Sequence, residues 1–297
     1  KEIIKLKKEG IEGLVLDLRN NGGGSLQTVV DMTGLFIKEG PVVQVKSFGD
    51  RKQVVYDKDP SIFWEGPLVI LVNQMSASAS EILAAALQDY NRAVIVGSTQ
   101  SFGKGTVQNV IDLNRFLSNS NYDLGALKIT TDKFYRINGG SVQVEGVKSD
   151  ITIPNRLSFI PIGENDEENP LEWDQIDSAN YLKWNGYFNL DQVIKSSNDR
   201  INNSQFVSLV KENAKWIASK QNSKSFSLNY SNFKKTQADD KKYLSKFDDL
   251  QNYKNDLEFE FIANGDESIE NSKEILERRK RWKKGLESDF QLNEGLK

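Results

Sequence analysis

The stretch "LVNQMSASASEILAAALQDY", Leu71–Tyr90, says more about this chain than any other. An apolar run that begins at Pro67 stops at Asn73, three serines then alternate with alanines, and helically spaced apolar residues follow. A short run of wholly apolar residues suits a strand buried on both faces of a parallel or mixed sheet. The pattern therefore predicts strand, turn and helix, with a helix over about 80–90. A serine at such a turn is where a nucleophile is often presented. Ser78-Ala79-Ser80-Glu81 also fits the capping box S-x-x-E, so Ser78 has a structural reading beside the chemical one. The two are compatible, because a hydroxyl at a helix N-terminus sits beside unpaired amides and the positive end of the helix dipole.

Working outward, "GLVLDLR" (Gly13–Arg19) reads as a strand and "NNGGGS" as its turn. "LQTVVDMTGLFI" has helical spacing, "PVVQVKSF" and "KQVVYD" form a strand pair, and "RAVIVG" is another strand. "ALKITTDKFYRINGG" and "SVQVEGV" read as strands joined at Asn138-Gly139-Gly140. Strands alternating with helices place this half in the α/β class with antiparallel additions. After "DITIPNR" comes an acidic, proline-punctuated connector. The rest is charged and mostly helical: helices are expected over about 174–183, 204–221, 231–255 and 267–292, with "SFSLNY" (Ser225–Tyr230) a strand between two of them. The domain boundary is expected near residue 157, with units 1–156 and 157–297.

Composition narrows the chemistry. The 297 residues carry a net charge of -3, which argues against a nucleic-acid partner. The basic run "RRKRWKK" (Arg278–Lys284) lies among glutamates and reads as a solvated helix face. No apolar run approaches the roughly 18 residues of a membrane span, and no signal peptide is visible; the opening "KEIIKLKKEG" reads as a cut inside a longer protein. There is no cysteine and no histidine, so thiolate chemistry and the usual general base are both missing. No metal and no cofactor is expected. If a serine is the nucleophile, Asp, Glu, Tyr, a terminal amine or Lys remains to take its proton. Lys104, in "SFGKGTVQ", is a candidate, with the loop-lysine reading beside it. A free lysine with a pKa of about 10.4 is protonated at neutral pH, and burial lowers that value. Neither "FGKG" nor "NGGG" completes a phosphate-loop or dinucleotide fingerprint. The glycines of "DLRNNGGGS" (Asp17–Ser25) suit either a flexible turn or the close backbone approach that an oxyanion hole needs.

Together, "GLVLDLRNNGGGSLQTVVDMTGLFI", "LVILVNQMSASASEILAAALQDYNRAVIVG", "SFGKGTVQ" and "LKITTDKFYRINGGSVQVEGVKSDI" resemble the tail-specific, or C-terminal processing, serine proteases. The likeness runs from about Gly13 to Pro154, and the later helices resemble the C-terminal domain of the longer, Prc-like members. The resemblance implies a Clp/crotonase-type mixed sheet-and-helix protease core followed by a mainly α-helical C-terminal domain. It implies Ser78 as nucleophile, Lys104 as base and Gln108 as the residue that orients the lysine. It also implies the amides of Gly24 and Ala79 as the oxyanion hole. Asp89 matches a position needed for activity and reads as structural, at the far end of the nucleophile's helix. The loop ending at Lys104 is one residue longer than the family's usual. The implied partners are protein or peptide substrates with accessible C-termini, with room for an adaptor protein, and the implied location is the periplasm or cell envelope. The family also has an upstream helical segment and a PDZ domain, neither of which is in this sequence. The C-terminal half is expected to carry no catalytic residue and to shield or shape the substrate path. The rival reading is a non-catalytic binding or scaffold module on the same core, as in the interphotoreceptor retinoid-binding proteins. The pair Ser78 plus Lys104 separates the two, since a binder has no use for it.

Overall fold

A computed structural model describes residues 1–116, 123–186, 189–223, 225–262 and 272–297. Helix α1 (Glu2–Lys8) leads into β1 (Leu14–Asp17), α2 (Leu26–Gly34), and the hairpin β2 (Gly40–Ser47) and β3 (Lys52–Asp57). Then come β4 (Leu68–Val72), α3 (Ala79–Asp89), β5 (Val94–Gly97), β6 (Thr106–Asp112), β7 (Ala126–Tyr135) and the short β8 (Ile151–Thr152). One sheet has the order β1-β4-β5-β8 with every pairing parallel. The other has the order β3-β2-β7-β6 and is antiparallel.

Alternation along β4 explains how the parallel sheet is covered. Leu68, Ile70 and Val72 belong to one core with Val29 and Val30 of α2 and Ile82, Leu83 and Ala86 of α3. Leu71, together with Val94 and Val96 of β5, belongs to a second core on the opposite face, as the two-residue period of a strand requires. Residues far down the chain supply the other half of that second core. They are Ile194 and Ile201 of α4 (Leu190–Asn202), Val207 of α5 (Gln205–Gln221), and Phe290 and Leu292 of α9 (Phe290–Gly295). Arg19, just past β1, donates to both carboxylate oxygens of Asp289 and to Gln291 Oε1, fastening α9 to the sheet. The remaining helices, α6 (Tyr230–Leu244), α7 (Asp248–Gln251) and α8 (Lys273–Glu287), lie further out. No helix among the described residues is long and apolar enough to cross a membrane.

Several expectations need correction. Residues 174–183 form no helix. Their backbone instead pairs with the turn after β7: Ser141 N–H donates to Asp174 O, Ile176 N–H to Gly139 O, and Ala179 N–H to Ile137 O. Tertiary partners thus override local helical spacing. "SVQVEGV" forms only a bridge, Tyr135 with Ser141, before the chain turns. "SFSLNY" is no strand either; Phe226 and Leu228 lie exposed, and Asn229 caps α6 by accepting from Asn232 N–H. The helix expected over 231–255 ends at Leu244 and gives way to short turns. Of the helix expected over 267–292, residues 267–271 lie outside the described residues; the rest is broken between α8 and α9, where Asp289 starts a new helix by accepting from Leu292 N–H. Strand β6 and helix α4 were not foreseen.

Candidate active site

Parallel sheets gather their loops at the carboxyl ends of the strands, where ligands bind. Here the adjacent strands β1, β4 and β5 send three loops to that edge: the glycine block, the serine turn and the glycine–lysine loop.

The serine turn is built by a network of polar contacts. Asn73 Oδ1 accepts from the amides of Asn20 and Met75, and Asn73 Nδ2 donates to Asn20 Oδ1. Ser76 is fully buried; its hydroxyl donates to Leu18 O at 2.8 Å and accepts from Asn73 N–H at 2.9 Å. That hydroxyl is consumed by structure. Ser80 is buried as well. Ser78 is half-buried and sits at φ 57°, ψ -115°, a conformation that non-glycine residues rarely adopt and that clusters at functional turns. Of the three, only Ser78 borders the cavity described next.

That cavity, of about 340 Å³, is lined by Gly24, Ser78, Ala79, Lys104 and Gln108, with Leu26, Val45, Ile82, Val107 and Phe134 as its apolar wall and Thr106 and Lys128 beside them. Five of the six expected site residues therefore meet in one place. Lys104 Nζ donates to Gln108 Oε1 across a long 3.4 Å. Three consecutive residues, Thr106 to Gln108, border the cavity, which a flat alternating strand would not supply. The register explains it: Val107 faces Asp132 and Gln108 faces Thr130, so a bulge intervenes and twists the strand. The sixth residue, Asp89, lies at the far end of α3, outside the cavity. Its carboxylate accepts two bonds from Arg136, at 2.6 and 3.1 Å, and one from Asn138 Nδ2 at 2.8 Å. Among the described residues no lining residue lies beyond Phe134, and the C-terminal helices cover the sheet from behind.

Glycine is required where the first two loops touch. Gly23, at φ 100°, would put a Cβ 2.8 Å from Ala77 O, 2.8 Å from Ala79 N and 2.9 Å from Ser78 Cβ. Two of those three atoms are backbone and cannot swing away. Gly23→Ala is expected to lower the melting temperature by several degrees, from about 1–3 kcal/mol of strain, and to disorder the serine turn. An unchanged melting curve would contradict this.

The residue that sequence reading undervalued is Glu81. Its capping-box role is present: the Ser78 amide donates to Glu81 Oε2 at 2.7 Å. Yet the same carboxylate also accepts from Ser101 Oγ at 2.6 Å, Gly103 N at 2.7 Å and Lys104 N at 3.0 Å. It thus couples the serine turn to the lysine loop. The opposite side of that loop is held by Gln143, whose Oε1 accepts from Gly105 N–H, and by Val144, whose amide donates to Gly103 O. Burial pushes the Glu81 carboxyl up to about 7, and the four donors pull the other way. The capping motif was the available signal; nothing in it announced the second loop.

The chain matches the model of peptidase family S41 over residues 1–153 and that of the C-terminal domain of tail specific protease over residues 157–297. It belongs to peptidase family S41. Within that family it is similar to the tail-specific protease of Haemophilus influenzae, 41% identical over 235 residues, covering 77% of this chain and 34% of that one. It is also similar to the carboxy-terminal-processing protease of Bartonella bacilliformis, 40% identical over 154 residues, covering 52% and 33%. Among solved structures, a photosystem II D1 C-terminal processing protease is 35% identical, covering 50% of this chain and 36% of that one at a TM-score of 0.44. The chain spans about a third of the length of the curated S41 relatives it matches.

In this S41 core, Glu81 sets opposite pH trends for stability and for site order. Its folded pKa lies above its unfolded value of 4.5, so its contribution to stability is present below pH 4.5 and is lost as pH rises through about 7. At 1.36 kcal/mol per pKa unit the swing is about 3 kcal/mol. Only the ionised carboxylate accepts from all four donors, so the loops are best held above pH 7. Glu81→Gln is expected to remove this stability step in pH-dependent thermal melts. It also sets an amide N–H against backbone donors, for a loss of about 1–3 kcal/mol. A melting profile with the same pH dependence in both proteins would contradict it.

Proposed function

We propose that the protein is a serine endopeptidase that cleaves protein chains at or near their C-terminal tails, with Ser78 and Lys104 as its catalytic pair. One observation carries the reading: a serine on a strained turn shares a cavity in which, among the described residues, the only titratable lining side chains are lysines. With no carboxylate or imidazole there, an amine must serve as base. Ser78 Oγ attacks the scissile carbonyl carbon while Lys104 Nζ takes the hydroxyl proton. The tetrahedral oxyanion is held by the amides of Ala79 and Gly24. Lys104 then returns the proton to the departing amine, leaving an acyl-enzyme on Ser78 that water hydrolyses by the same steps. Gln108 Oε1, as acceptor, keeps one ammonium proton occupied and aims the amine at Ser78. Asp89, through Arg136, holds the far end of α3 and positions rather than reacts. We divide the chain near residue 157, place its work in the periplasm or cell envelope from the family resemblance, and leave room for an adaptor protein.

A fluorophosphonate probe tests the reading. In the full-length protein it is expected to form one adduct, on Ser78. An adduct on another residue, or no adduct in a protein that is folded, would overturn it.

A further inference from the structure

The cavity holds a second cation that the reaction above does not use. Lys128, on β7, lines it together with Lys104, and no aspartate or glutamate is among the lining residues. Three other lysines of this sheet have partners: Lys133 pairs with Asp174, Lys46 with Asp50, and Lys52 Nζ donates to Asp177 O. Among the described residues, Lys128 Nζ makes no ion pair or hydrogen bond. Asp132, the nearby acid on β7, is already engaged by the hydroxyls of Ser47 and Thr131.

Register gives Lys128 a defined place. Gln108 faces Thr130 and Val110 faces Lys128, so Lys128 is the diagonal neighbour of Gln108 on the same sheet face. Such neighbours lie roughly 7–8 Å apart. An extended peptide advances about 3.4 Å per residue, so a substrate following this edge passes from Gln108 to Lys128 in about two residues. An unpaired ammonium beside a cavity with no acid of its own attracts an anion, and the anion a peptide offers is a carboxylate.

We propose that Lys128 anchors a substrate carboxylate within a few residues of the scissile bond, in the cavity it shares with Ser78. The proposal rests on the peptidase reading of this cavity. The carboxylate has two sources, the free C-terminus of a short tail or an acidic side chain, and both present the same chemistry to the lysine.

The test uses full-length protein and matched peptides carrying, within a few residues of the cleavage point on either side, a free terminal carboxylate, its amide, a glutamate or a glutamine. The unsubstituted enzyme is expected to favour carboxylate forms by about three- to fivefold in kcat/KM, as a partly exposed ion pair allows. Most of that preference should lie in KM, and it should shrink as ionic strength rises. Lys128→Gln should bring the preference to about one, and Lys128→Glu should invert it. A preference seen for the terminal carboxylate alone, or for glutamate alone, identifies the source. An identical preference in Lys128→Gln, or none in the unsubstituted enzyme, overturns the anchor. Fluorophosphonate labelling of Ser78 separates the two failures. Labelled enzyme without discrimination removes only Lys128's role; unlabelled, folded enzyme removes the peptidase reading and the anchor with it.

Discussion

Ser78→Ala is expected to abolish peptide hydrolysis, by about 10⁴-fold or more, while the melting temperature stays within a few degrees of the unsubstituted protein. The loss is large because neither neighbouring serine is available to the same chemistry. Ser76 spends its hydroxyl on Leu18 O and Asn73 N–H, and Ser80 is buried away from the cavity. The fold should survive because what holds the turn is the backbone of residue 78. Its amide donates to Glu81 and its carbonyl accepts from the amides of Glu81 and Ile82. Alanine keeps all three and meets the same φ as serine. Ser76→Ala should show the reverse pattern, a loss of about 1–3 kcal/mol from two orphaned buried groups with hydrolysis retained in whatever fraction stays folded. Hydrolysis by Ser78→Ala at anything near the normal rate would displace it as nucleophile.

Lys104→Arg is expected to be inactive at every workable pH, with a loss of at least about 10²–10⁴-fold, the usual size of a general-base contribution. Guanidinium holds its proton throughout the range in which proteins stay folded. The substitution keeps a basic side chain of similar length, so it removes the proton acceptor with little loss of bulk. The mutant loop should remain in place, since Lys104 is held by its own amide on Glu81 and by neighbours on Gln143 and Val144. Binding of a substrate-like peptide should therefore persist in Lys104→Arg, measured by fluorescence anisotropy, while acylation by fluorophosphonate fails. Acylation at the normal rate in that variant would take lysine out of the mechanism.

How far the sequence could be read follows from which forces are local. Strands β1, β4 and β5 and the helix α3 were legible because an apolar run and a helical period are properties of contiguous residues. Ser78 and Lys104 were singled out from local motifs and Gln108, Gly24 and Ala79 from the family resemblance; their meeting in one cavity reflects three loops leaving neighbouring parallel strands, with Gln108 brought in at the start of β6. What was not legible depends on partners far away. Nothing between Asp174 and Lys183 announces that Gly139 and Ile137 will take its amides. Glu81 reads as a cap because Ser78 is three residues off, whereas Ser101, Gly103 and Lys104 join it only in the folded chain. Lys128 carries no motif at all; only the pairing of β6 with β7 brings it beside Gln108.

The latch between Arg19 and Asp289 also sets a timetable. Contacts this distant in sequence close late and slowly in folding, and here they cap an apolar sheet face formed by Val15, Val69, Leu71, Val94 and Val96. A chain still on the ribosome with residue 185 just emerged has the serine, the lysine and all three loops, but a greasy surface where α4 and α9 belong. The second face of the parallel sheet is therefore covered only after residues 289–294 have been made and docked. If the site is proteolytic, as proposed, a centre whose platform is completed last has the least opportunity to cut its own unfinished copies. Pulse-labelling nascent chains of increasing length with a fluorophosphonate should show the adduct appearing only once α9 is present.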